Sequence, residues 1–447
     1  MVIFSILSLV DTFFIAQLGS AALAALTLCI PIEILLVSCG TATGIGLASL
    51  IARMLGRGEV AAADNAAWHG LVISSIYGVF FAWVGLLCID ELLLLFGCSV
   101  ELFSLSKEYL EVIFWGAIFI FISDIAESIV QGEGNTMLPT ITALATISCN
   151  VLLDPILIFG WGTIPAMGMK GAALATILAE AAGVVFIFSI IWCRPSILSW
   201  SLAHFRPSLR ILIAIYKVGL PSLVMECISV LVMIVLNKIL IGFSYTAVAA
   251  MGVFMRIRAF FYMPVHGLAQ GVMPIVGFAY GARNYDRVKE TMMKASVLSF
   301  LMLLIGWYFM QYHSTWMLGF FAEDPALIMM GLNCMQLGCL ALPLTGPIII
   351  LYTVLQAVGK GITAMWLSLI RQVLFLFPAL FILPAFFQLN GVWLAISTAD
   401  FLAALTALVI FIKLWLELTP RRSFTMLMLL RRDHFWARMK AWLRWSQ

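Results

Sequence analysis

Long apolar runs recur from one end of this chain to the other, broken only by occasional polar residues. A run of ~20 such residues is what a helix needs to cross the hydrocarbon of a bilayer. No water reaches the backbone there, so each run must satisfy its own hydrogen bonds as helix. Composition agrees: of 447 residues, 63% are hydrophobic and 11% charged, with a mean hydropathy of +1.09. A soluble chain carries about 25% charged residues, so this one lacks the means to cover a water-facing surface. The expected fold class is an all-α polytopic membrane protein. The nine cysteines form no CxxC pair and the five histidines show no metal-ligand spacing. No HExxH, no P-loop and no GxSxG in a suitable context is present, so no enzyme and no cofactor is expected.

Twelve transmembrane helices are expected, near 1–18, 22–54, 65–88, 106–131, 137–160, 169–193, 211–241, 245–281, 289–312, 326–357, 361–386 and 390–417. Prolines and glycines inside them (Pro31, Gly40, Pro264, Pro274) offer bend points. No secretory signal opens the chain, and Val2 to Ala16 is short for a span. A first helix lacking part of its cytoplasmic end is the expectation. With the N-terminus inside, nineteen of the 25 basic residues fall on the cytoplasmic side. Only Lys107, Lys170 and Lys238 face outward, and Arg256, Arg258 and Arg371 fall within helices. That bias predicts a multi-pass inner-membrane protein with both termini cytoplasmic. The basic residues follow topology, so no nucleic-acid partner is expected. After Pro420, Phe435, Met439 and Trp442 share one stripe among basic residues, which reads as an amphipathic anchor on anionic membrane lipids.

The chain also repeats itself. Ala24-Ala25 answers Ala249-Ala250, Gly56 answers Gly281, GEG (132–134) answers GKG (359–361), and Gly171 answers Gly391. The spacing stays between 220 and 227 residues. This predicts an N-terminal six-helix lobe (1–195), a cytoplasmic linker (196–210), a C-terminal six-helix lobe (211–417) and a basic tail (418–447). Parallel six-helix repeats imply a pseudo-twofold axis along the membrane normal, a substrate cavity between the lobes, and alternating access by rocking.

Seven acids fall well inside spans: Asp11, Asp124, Glu127, Asp154, Glu180, Glu226 and Asp400. Facing lipid, each costs about 2.5–3.5 kcal/mol at mid-helix, so each needs a partner or a use. Five lie in the first half, which points the ion chemistry there. Within NVLLDPILIFG (150–160), Asn150 and Asp154 are four apart on one helix face. Pro155 removes an amide and is expected to bend the helix, so acid, amide and bared carbonyls form a nest for a cation. Thr176 and Glu180 also share a face. Glu127, Glu226 and Asp400 are weaker candidates, each with a static interhelical hydrogen bond as its plain reading. Abundant Met and Phe suit an apolar, adaptable cavity for amphipathic cations.

GVFMRIRAFFYMPVHGLAQGVMPIVGFAYGARNYDRV (252–288), LVDTFFIAQLGSAALAAL (9–26), QGEGNTMLPTI (131–141), NVLLDPILIFG (150–160), GAALAT (171–176), GLP (219–221) and GVWLAISTAD (391–400) carry a further signal. Together they resemble the multidrug and toxic compound extrusion (MATE) family, in its bacterial branch. The resemblance implies a V-shaped molecule of two pseudo-symmetric bundles around a central cavity. It implies an antiporter that exports small amphipathic or cationic molecules against H⁺ or Na⁺, and a monomer. In that family, positions matching Asp11, Asn150, Asp154 and Thr176 form the N-lobe cation site, where Na⁺ would bind. Asp124 matches a nearby polar position. Asp124 and Glu127 depart from relatives that carry Asn, and Ser8 stands where many have Asn. A lipid-linked precursor flippase of the same superfamily is the alternative, and a strongly basic cavity would favour it.

Overall fold

The computed structural model describes residues 13–95, 98, 100–193, 196–319 and 325–419. Asp11, most of the first expected span and the amphipathic tail lie outside them. Phe13–Ala16 close a helix, and the first half continues with α1 (Ser20–Gly56), α2 (Val60–Leu87), α3 (Ile89–Leu95), α4 (Val100–Gly132), α5 (Met137–Phe159) and α6 (Met169–Cys193). A 3₁₀ turn at Leu202–His204 precedes the second half: α7 (Leu209–Ile241), α8 (Tyr245–Gly281), α9 (Tyr285–Tyr312), α10 (Ser314–Gly319), α11 (Pro325–Gly338), α12 (Leu342–Ala357), α13 (Gly361–Leu369), a π-helical turn (Ile370–Leu376) and α14 (Phe377–Glu417). Nine of the described helical stretches are long and apolar enough to cross a membrane, and α11 with α12 make a tenth.

One expectation changes in detail. The span expected at 326–357 is broken: α11 and α12 meet at 57°. Pro343 sits at the start of α12, where its missing amide has no helical partner to lose. Conversely, α1 and α8 run on through Pro31, Pro264 and Pro274. The expected spans 361–386 and 390–417 are a hairpin reversed at Gln388, which has φ 50° and ψ −133°. A Cβ on Gly391 would lie 2.3 Å from the Leu383 carbonyl oxygen, although a straight helix holds residues eight apart at about 12 Å. Gly171, its repeat counterpart, makes the same approach to the Leu157 carbonyl oxygen, 2.4 Å from a built Cβ.

Each half encloses its own apolar core. Ile15, Leu36, Phe114 and Phe121 centre one in the first half, and Phe254, Met335 and Trp393 one in the second. The halves meet chiefly along α1, α7 and α8. A Cβ at Gly56 would fall 2.2 Å from the Phe278 carbonyl oxygen, and one at Gly281 would fall 2.2 Å from that of Arg53. Shifting by the repeat spacing of 225 exchanges these contacts, as a twofold axis does. Ala52 and Gly277, also 225 apart, touch each other directly and so lie on that axis. Ser49 Oγ donates to the Gln356 carbonyl at 2.6 Å, and Gln131 Nε2 to the Gln270 carbonyl at 3.0 Å.

The linker is docked onto the first half. Buried Asp64 accepts from the Ser199 amide at 2.9 Å, from the Ser199 hydroxyl, and contacts His204 Nδ1 at 2.8 Å. Glu133, in the turn after α4, accepts from the Ser196 hydroxyl and the Leu198 amide. Burial holds the Glu133 carboxyl above the usual range, Ser196 and Leu198 pull it down, and Asp64 adds to the rise.

Gly281→Val is expected to cost about 1–3 kcal/mol through overpacking, read as a lower Tm in detergent. Gly271→Val, whose added Cβ meets nothing within 4 Å, should leave Tm unchanged. A carboxyl held high stabilises the fold while protonated, and that contribution is lost as pH rises through its raised value. Glu133→Gln stays neutral, so its Tm should fall less than wild type between about pH 4 and 8.

Candidate functional site

Near the ends of α5 and α6 the expected residues do converge. Asp154 is fully buried, and Asn150 Nδ2 donates to its Oδ1 at 3.3 Å. The same amide reaches Thr176 Oγ1 on α6 at 3.4 Å, and Thr176 in turn donates to the Ala172 carbonyl at 3.2 Å. Both Asn150 contacts are long for N–H···O bonds, and the acid, amide and hydroxyl all present oxygens inside the bundle. Hard cations such as Na⁺ take that donor set, so the residues present fit an ion. Pro155 does not break α5, which continues to Phe159; the lost amide falls near the helix's end, where little ladder remains to distort.

One turn beyond Thr176 on α6, Glu180 stands beside Ser123 of α4. Asp124 follows Ser123 in sequence, lies beside Thr41 of α1, and feels the charge of Glu180. Glu127 feels both. Gly40 and Gly44 are what let α1 this close: a Cβ at Gly40 would lie 2.6 Å from Asp124 Oδ2, and one at Gly44 would lie 2.2 Å from Ser128 Oγ. A polar seam therefore runs from Asp154 through Asn150 and Thr176 to Glu180, Asp124 and Glu127.

The seam ends at a cavity of ≈ 380 Å³ between the halves, walled by Asp124, Glu127 and Gln131 from α4 and by His266, Gln270 and Gln356 from the second half. A neighbouring cavity of ≈ 400 Å³ lies between α1 and α7. It is mostly apolar, with Glu33 and Glu226 on its wall and Gln356 shared with the first. Among the described residues, no Lys or Arg lines either one.

Asp400 belongs elsewhere. It sits on α14, nearly inaccessible, between Arg258 Nη2 at 2.8 Å and Arg371 Nη2 at 2.6 Å. Arg371 lies in the π-helical turn, and Arg258 Nη2 also donates to the Tyr262 hydroxyl at 2.8 Å. An acid flanked by two guanidiniums is a packed charge cluster of the second half, not a wall of either cavity. Removing one partner of such a cluster leaves buried charge unmatched. Sequence reasoning also passed over His266, Gln270 and Gln356. The four-residue spacing of Arg258, Tyr262, His266 and Gln270 was the available signal, since it places all four on one face of α8.

The MatE family model matches residues 1–156 and again 221–382. Multidrug export protein MepA of Staphylococcus aureus strain MRSA252 is 28% identical over 409 residues, covering 91% of this chain and 89% of that one. A solved structure described as the outward-facing conformation of a multidrug resistance MATE family transporter of the MOP superfamily superposes with a TM-score of 0.87. It has 27% identity and covers 94% of each chain. A MOP superfamily transporter from Pyrococcus furiosus Vc1, whose binding pocket is described as reversed in polarity, matches with a TM-score of 0.86 and 27% identity, covering 94% of this chain and 93% of that one.

Asp400→Ala is expected to destabilise by about 3–5 kcal/mol, because two arginines lose their common partner. Glu226→Gln, at a cavity wall, should change stability by under ~0.5 kcal/mol. Thermal unfolding of the two purified variants in one detergent separates a packed cluster from a wall residue.

Proposed function

The chain belongs to the MatE family, and on that premise we propose that it is a secondary active antiporter of the bacterial inner membrane. It exports small amphipathic, often cationic, compounds in exchange for H⁺ or Na⁺. The observation that carries this reading is the polar seam, which joins the buried Asn150–Asp154–Thr176 node to the acids of the inter-half cavity. A coupling cation taken up at Asp154, with Asp11 as its expected second carboxylate, changes the charge felt by Glu180 and Asp124. Cargo held against Asp124 and Glu127 then loses part of its attraction. Each charge moved inward gains about 2.3 kcal/mol per 100 mV of membrane potential.

The halves touch at the ends of α1 and α8 that carry Arg53 and Arg283. Toward the other end of α1, Ile30, Ile34 and Val37 stand exposed. With the basic ends cytoplasmic, this is an outward-open arrangement, and rocking about the Ala52–Gly277 contact turns the cavity inward. The described residues lining the cavities include acids and no Lys or Arg, which favours the cation exporter over a flippase for a lipid-linked phosphate.

Asp154→Asn in proteoliposomes tests the reading. Wild type should move protons or sodium when an organic cation is added outside, and the variant should lose that movement while still binding the cation. Ion movement equal in both would remove Asp154 from coupling.

A further inference from the structure

His266 stands exposed into the inter-half cavity whose opposite wall carries Asp124 and Glu127. It is held there from behind. Its ring lies 6.3 Å from that of Tyr262, one helical turn earlier. The Tyr262 hydroxyl is itself fixed by Arg258 at 2.8 Å and by the Thr345 hydroxyl at 2.7 Å. Arg258 is answered by Asp400, which also holds Arg371. The charged groups around His266 are therefore the two α4 acids ahead, Glu180 behind them, and the arginine–aspartate cluster beneath Tyr262. The linings from α1 and α12 add Thr41, Ile45, Thr353 and Gln356, all uncharged.

From this geometry we propose that His266 is a resident counter-cation of the cargo site, pairing when protonated with Asp124 and Glu127 across the interface of the halves. Cationic cargo and the His266 proton then compete for the same carboxylates. Binding of a cation releases a proton from His266, and a proton arriving on His266 ejects the cation. Histidine suits this role because it changes charge between pH 5 and 8. The residue is a specificity and regulatory element of the cavity, separate from the Asp154 node. The proposal rests on the cation-exporter reading given above.

The test uses the purified full chain in lipid nanodiscs and the tetraphenylphosphonium cation as probe. Isothermal titration is run from about pH 6 to 8.5 in buffers of different ionisation heat, which counts released protons as well as affinity. Wild type should bind up to about tenfold more weakly per pH unit as His266 becomes charged, releasing close to one proton. His266→Gln should bind more tightly than wild type at pH 6, with a shallower pH slope and fewer protons released there. His266→Lys, charged across this range, should bind weakly at every pH. Asp124→Asn with Glu127→Gln should lose binding at every pH. If His266→Gln retains the wild-type slope and proton count, the His266 assignment is overturned and the cargo reading stands. If wild type binds the cation at no pH, the cargo reading falls and takes this proposal with it.

Discussion

An ionised side chain inside a bilayer must be met by protein, and the two halves of this molecule meet theirs in opposite ways. In the second half Asp400 is gripped by two guanidiniums, a tight arrangement with no capacity to spare. In the first half the Asn150 amide donates to Asp154, and Asp124, Glu127 and Glu180 stand within reach of one another's charge. In the second half the charge is matched within the protein, and in the first half the acids gather along one polar seam.

Much of this was legible in the chain. Apolar run length fixed the class, and the repeat spacing foretold the reciprocal contacts of Gly56 and Gly281. Asn150 and Asp154 were readable because a four-residue interval on a helix is a local fact. What sequence hid was nonlocal. Nothing near Asp400 reveals that Arg258, 142 residues earlier, reaches it, so a cavity role looked open to it. Likewise Glu133 reads as one letter of a turn motif until Ser196 and Leu198 come back to it.

The linker illustrates the same point at larger scale. Its composition marks it as a connection between lobes, yet Asp64 gathers amide, hydroxyl and imidazole contacts from it. The chain entering α7 is thus moored to the first half up to Ser208, whose amide donates to His69 Nε2 at 2.9 Å. The segment from Ser196 to Ser208 is therefore packed against the first half rather than hanging as a slack tether.

The two copies also differ at matching hairpins. The first joins α5 to α6 through Trp161–Gly168, with left-handed glycines at 160, 162 and 168 and an isolated bridge from Trp161 to Ile164. The second makes the reversal at Gln388 alone. On the face where these hairpins emerge, one lobe offers a small folded knob and the other a nearly bare helical tip. Antibodies, proteases or a grafted epitope would find purchase on the former and little on the latter.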